Sequence, residues 1–187
     1  MARTPSNMLP LNTLAPDFKL LDTISNDEKT LSELKGEKAT VIMFLCNHCP
    51  YVKHVNSALV ALANDYQSKG IAFIAISSND VVNYPEDSPE LMQKTAQELA
   101  YPFVYLYDET QEVAKAYDAA CTPDFYVFDH SLLLVYRGQL DDSRPQNQIP
   151  VSGKDIRAVL DAILEGTDIN PVQKPSLGCN IKWKENQ

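Results

Sequence analysis

The strongest constraint on this chain is the point where an apolar run, Ala39-Thr40-Val41-Ile42-Met43-Phe44-Leu45, gives way to Cys46-Asn47-His48-Cys49-Pro50. A helix-like stretch, Tyr51 to Lys69, follows. The apolar run reads as a buried strand. Two cysteines two residues apart, where a strand hands over to a helix, form a redox dithiol arrangement. A helix N-terminus presents unpaired backbone N–H groups and partial positive charge. A thiolate placed there is stabilised, and its pKa falls below the roughly 8.5 of a free thiol.

The rest of the chain fits one α/β domain. Of 187 residues, 44% are hydrophobic and 22% charged, an ordinary balance for a packed core. The formal charge of −9 and pI ≈ 4.7 speak against nucleic acid or an anionic membrane surface as partners. No apolar run reaches membrane-spanning length, and Met1 to Pro16 has no signal-like apolar stretch. The expected compartment is the cytoplasm. Four cysteines, Cys46, Cys49, Cys121 and Cys179, are too few to staple a secreted scaffold of this size.

Phe18 to Asp22 reads as a strand, followed by a polar turn at Ser25-Asn26-Asp27. Thr30 to Leu34 reads as one helical turn closed by Gly36. Val52, Val55, Leu59, Leu62 and Tyr66 recur at helical spacing, and Gly70 ends that helix. Ile71 to Ile76 is a second buried strand, so the dithiol lies inside a β-α-β unit with a right-handed crossover. Ser88-Pro89 opens a helix running to about Ala100. Phe103 to Tyr107 is a short strand and Gln111 to Tyr117 a short helix. Asp124 to Phe128 and Leu132 to Tyr136 form a hairpin around Asp129-His130-Ser131, and a last helix runs from Ser152 or Gly153 to Leu164. The core spans about 12–166, and 167–187 is a Pro-rich polar tail. The order gives a three-layer sandwich with a mixed central sheet flanked by helices.

Cys46, just ahead of the helix, is expected to be the more exposed sulfur and the attacking thiolate, and Cys49 the buried resolving thiol. His48, between them, would add positive charge beside the thiolate, or else be a solvated turn residue. Cys121 either joins the redox chemistry or packs. Cys179 either meets the dithiol or anchors the tail. Lys53 and His54 read as surface residues, and Arg137 as a partner for Asp141 or Asp142. No buried acid precedes the dithiol on its strand. No cofactor and no metal are expected. The alternative from a different class is a Cu(I) or Zn site using the cysteine pair and a distant histidine, with His130 placed away from it.

The blocks Leu14-Ala15-Pro16-Asp17-Phe18, Cys46-Asn47-His48-Cys49-Pro50, Ser78-Asn79-Asp80, Tyr105-Leu106-Tyr107-Asp108, Cys121-Thr122-Pro123-Asp124-Phe125, Tyr136-Arg137-Gly138 and Pro175 to Trp183 resemble the thioredoxin-like superfamily. More narrowly, the chain resembles the alkyl hydroperoxide reductase/thiol-specific antioxidant family, in its peroxiredoxin-like branch with a CxxC. Two features depart from the pattern. Leu45 stands where thioredoxins usually have Trp. With Cys49 in the peroxidatic place, Ile42 and Cys46 stand where Pro and Thr/Ser are expected. The resemblance implies a thioredoxin-like fold and a thiol-disulfide oxidoreductase with an antioxidant or redox role. Its substrates would be protein or small-molecule disulfides, and a cellular dithiol its reductant. The alternative is a thiol peroxidase reducing hydroperoxides. Pro123 resembles the cis-proline facing the dithiol, with Thr122 offering its backbone to an extended substrate. Cys179 would correspond to the tail resolving thiol of some peroxiredoxins.

Overall fold

The computed structural model describes residues 3–185. Strand β1 (Arg3–Pro5) leads into an irregular segment, then into the hairpin β2 (Lys19–Asp22) and β3 (Glu28–Thr30). Helix α1 (Leu31–Leu34) is a single turn closed by a capping box, in which Thr30 and Glu33 bond reciprocally. Strand β4 (Ala39–Phe44), helix α2 (Pro50–Tyr66) and strand β5 (Ile71–Ser77) form the expected parallel β-α-β unit. Gly70 ends the helical stretch in the left-handed conformation, with φ 85°. Helix α3 (Pro89–Glu98) starts on a Ser88 cap with Pro89 at its first position. Strand β6 (Val104–Tyr107), helix α4 (Glu112–Ala116), the hairpin β8 (Asp124–Asp129) and β9 (Leu134–Gly138), and helix α5 (Lys154–Glu165) follow in the expected order, with one unexpected short strand, β7 (Cys121–Thr122), before the hairpin.

Seven strands form one mixed sheet in the order β3-β2-β6-β5-β4-β8-β9. Both faces are covered, as the continuous apolar character of β4 and β5 requires. Val41 and Met43 of β4 point to the layer holding α2, α3 and α5. Ile42 and Phe44 point to the layer holding α1 and α4. The buried stripe of α2, from Val52 and Val55 through Leu59 and Leu62, is fixed against the sheet. Each such side chain contributes about 1.5–3 kcal/mol by burial. Among the described residues, no helix is long and apolar enough to cross a membrane.

The tail departs from expectation. Leu177–Asn180 forms a strand, β10, between β1 and β7 in a separate antiparallel sheet of three strands. Thr4 pairs with Gly178, and Cys179 with Thr122. The approach to β7 is close: a Cβ on Gly178 would lie 2.0 Å from the Thr122 carbonyl oxygen. Only a residue without a side chain fits there.

Candidate active site

Strand β4 ends at Phe44, in register with Ile76 of β5 and Asp124 of β8. The chain leaves the sheet there at the C-terminal end of its parallel strands, the edge where such sheets place their ligands. Asp87, from the loop before α3, pins the turn that follows. It is fully buried. Its Oδ1 accepts from the backbone N–H groups of Asn47 and His48 at 2.7 and 3.2 Å. Its Oδ2 accepts from Asn79 Nδ2 at 2.8 Å and meets His48 Nδ1 at 2.6 Å. Burial pushes Asp87 upward, but the bonds from His48 and Asn79 outweigh it and hold the carboxyl below its ordinary value. The bond to Asp87 raises His48 in turn. Asp87 carries no signal in the sequence, because it is one acid among several in a polar loop.

His48 favours the positive charge expected of it, paired with a carboxylate. Its principal partner is Asp87, and its ring stacks on Tyr84 with centroids 5.6 Å apart. Its attraction to Cys49 is the weakest of the main influences on its titration. Nε2 is buried and has no hydrogen-bond partner among the described residues.

The sulfurs also depart from expectation. Cys46 is 1% exposed and Cys49 0%, so neither is an exposed nucleophile. Cys49 is the N-cap of α2. The two thiols share a hydrogen bond, and the charge rests on Cys49. Donation from Cys46 holds Cys49 down at about 5 against the pull of burial, helped by the Cys179 thiol and the backbone amides of Val52 and Cys179. Cys46 is raised well above its ordinary value, first by that same bond, then by burial and the charge of Asp87. Such a pair titrates as a unit.

Two further residues close over the pair. Thr122 Oγ1 lies 3.3 Å from Cys46 Sγ, and the Thr122 carbonyl oxygen 3.2 Å from Cys49 Sγ. The Thr122–Pro123 peptide is cis. Cys179 Sγ lies 2.8 Å from Cys49 Sγ. Cys121, next to Thr122, is buried, with its sulfur 3.7 Å from the Pro123 carbonyl oxygen. Burial and the neighbouring Asp124 push it far up, so it packs as a thiol. Asp124 is the buried acid that β4 lacks. Burial pushes it up to about 7, although Ser6 Oγ donates to it at 2.6 Å and Tyr126 at 3.1 Å.

Other residues singled out in the sequence stand apart. Arg137 does not pair with Asp141 or Asp142; it donates to the Leu9 carbonyl and the Gln173 side chain, each at 2.8 Å. His54 bonds Ser143 Oγ at 2.7 Å, and Lys53 is exposed. His130 is exposed on the β8–β9 turn, beside Asp129, which pairs with Ala39 at the opposite end of β4. At roughly 3.3 Å per residue, the length of β4 separates it from the dithiol. Cys46, His48 and Asp87 do bring ligand atoms within 4.8 Å of one another. Both Asp87 oxygens are already taken by four donors, so a metal there would have to break them.

The AhpC/TSA family model matches residues 11–137. No curated protein matches. An uncharacterised conserved protein from Geobacillus kaustophilus is 63% identical, with a TM-score of 0.99 over 100% of this chain and 99% of that one. A hypothetical protein from Sinorhizobium meliloti is 45% identical, with a TM-score of 0.95 over 98% of this chain and 100% of its own. The thioredoxin domain of a thiol-disulfide oxidoreductase from Bacteroides vulgatus, at 18% identity, gives a TM-score of 0.60 over 70% of this chain and 89% of its own. That last likeness shows the fold, which is thioredoxin-like.

Proposed function

The chain belongs to the AhpC/TSA family, and from that premise and the paired sulfurs we propose that it is a thiol-disulfide oxidoreductase working through Cys46 and Cys49. One observation carries the proposal: two buried thiols stand together at the start of α2, one of them its N-cap, both against Thr122. Passage of a proton from Cys46 to Cys49 makes Cys46 the thiolate. Cys46 then attacks one sulfur of a substrate disulfide, and the other sulfur leaves as a thiolate. Cys49, deprotonated again, attacks Cys46 Sγ and releases the substrate's second thiol. The dithiol ends as a disulfide, two electrons poorer, and a cellular dithiol restores it. This cycle suits a reducing compartment such as the cytoplasm.

In this mechanism His48 and Asp87 hold the turn that presents Cys46, and Thr122 lines the path to both sulfurs. An extended substrate backbone at Thr122 would have to displace β10, which occupies that edge. Burial of both sulfurs favours small electrophiles and gives the thiol peroxidase alternative its support.

Stopped-flow consumption of glutathione disulfide and of hydrogen peroxide by reduced wild type, Cys46→Ser and Cys49→Ser separates the two. The oxidoreductase loses full disulfide turnover in both variants, on the order of a thousandfold. Peroxide consumption that outpaces disulfide consumption and needs only one of the two cysteines would overturn the proposal in favour of the peroxidase.

A further inference from the structure

Cys179 lies beyond residues 11–137, the span of the family match. It nonetheless reaches the dithiol, with its Sγ 2.8 Å from Cys49 Sγ. A disulfide needs about 2.05 Å between sulfurs, so a shift of under about 1 Å would join them. The placement is built rather than incidental. Ser176 donates to the Pro123 carbonyl at 2.5 Å, and its N–H donates to Ser6 Oγ at 2.9 Å. Ile181 N–H donates to Ala120 O at 3.1 Å. Lys182 N–H donates to Asn79 Oδ1 at 2.8 Å, and its carbonyl accepts from Gln111 Nε2 at 2.8 Å. Contacts before and after Cys179 thus fix β10 along Thr122, and Gly178 allows the approach.

We propose that Cys179 is a third redox thiol, which takes over the oxidised state of the dithiol by intramolecular exchange. The inference rests on the oxidoreductase reading above. Cys179 thiolate attacks Cys49 Sγ of the Cys46–Cys49 disulfide. The Cys46–Cys49 bond breaks as the Cys49–Cys179 bond forms, and Cys46 leaves as a thiolate that picks up the proton Cys179 has lost. No electrons are gained or lost overall. Burial first, then the neighbouring Cys49, raises Cys179 to about 12 in the reduced protein. Once Cys49 is in a disulfide its charge is gone, and that part of the opposition to a Cys179 thiolate goes with it. The exchange therefore belongs to the oxidised form. It keeps an oxidising equivalent beneath the tail and returns Cys46 as a thiol.

The test is disulfide mapping after treatment with diamide, a small oxidant that joins two thiols. Cys46 and Cys49 share one tryptic peptide, bounded by Lys38 and Lys53, and Cys179 lies in another. Oxidised wild type is expected to give that pair of peptides cross-linked, alongside the internal Cys46–Cys49 bond. Cys46→Ser is expected to give the cross-link within one chain, Cys179→Ser to lose it, and Cys121→Ser to keep it. The melting temperature of each reduced variant reports that it has folded. An internal Cys46–Cys49 bond with no trace of the cross-link in wild type, and Cys46→Ser oxidising only to disulfide-linked dimers, overturns the third-thiol role while leaving the oxidoreductase reading intact. Absence of both bonds in wild type removes that reading and this inference together.

Discussion

Cys49 and Cys121 share nearly every circumstance that is usually invoked for thiol reactivity. Both are 0% exposed. Both touch the carbonyl groups of the Thr122–Pro123 segment, at 3.2 and 3.7 Å. Yet Cys49 is held at about 5 while Cys121 is pushed far up. Burial opposes the charged form of both. The difference is what faces each sulfur. Cys49 has a thiol donor, a second thiol, two backbone amides and the start of a helix of 17 residues. Cys121 has a single hydroxyl donor, Ser6, outweighed by burial and the carboxyl of Asp124. Oriented donors, not solvent, decide which buried sulfur is a chemical group and which is packing.

The contrast breaks most easily on a thiolate titration followed by absorbance near 240 nm. The reduced protein is expected to show a thiolate signal with a midpoint near pH 5, lost in Cys49→Ser and kept in Cys121→Ala. Stability should follow the same groups. A native-state pKa below the unfolded value contributes stability in full above the unfolded value and loses it as pH falls through the native one. Relative to Cys49→Ser, the reduced wild type therefore gains stability between about pH 5 and the free-thiol value of roughly 8.5. Above that value Cys46, held protonated in the native state, reverses the slope. Urea melts across this range that run parallel for the two proteins would contradict the assignment of charge to Cys49.

A finer probe is Gly178→Ala. The added Cβ meets the Thr122 carbonyl and must push β10 away. Overpacking of this kind costs about 1–3 kcal/mol. Cys49 also loses the Cys179 donors, so its thiolate midpoint should rise. An unchanged midpoint with lowered stability would mean that β10 braces the fold without tuning the sulfur. The smallest effect belongs to Cys121→Ala: about 1 kcal/mol of stability, typical of a single substitution, with disulfide consumption unaltered. A marked loss of turnover there would draw Cys121 into the chemistry and dissolve the contrast.

The dithiol's local frame was legible because it is written in adjacent residues. A continuous apolar strand, a proline at the first helical position, a stripe at helical spacing and Gly70 all lie within one stretch. The Ser88-Pro89 start and the β8–β9 hairpin were legible for the same reason. What escaped depends on partners distant in the chain. Asp87 is local to neither cysteine, and its burial comes from a turn 40 residues away closing over it. Leu177–Asn180 has no alternation to mark a strand, and it pairs with residues from the far end of the sequence. The burial of Cys46 is not legible in the sequence because helix position predicts the field at a sulfur, not what the rest of the chain lays over it.

The pairing of Arg3 with Cys179 has a consequence for synthesis. Domains fold while the ribosome is still adding residues. Every strand of the seven-stranded sheet has emerged once Gly138 is clear, but the cover over the sulfurs waits for Lys182. The strand that covers the dithiol is therefore among the later parts of the described fold to be made, after the sheet that frames the sulfurs.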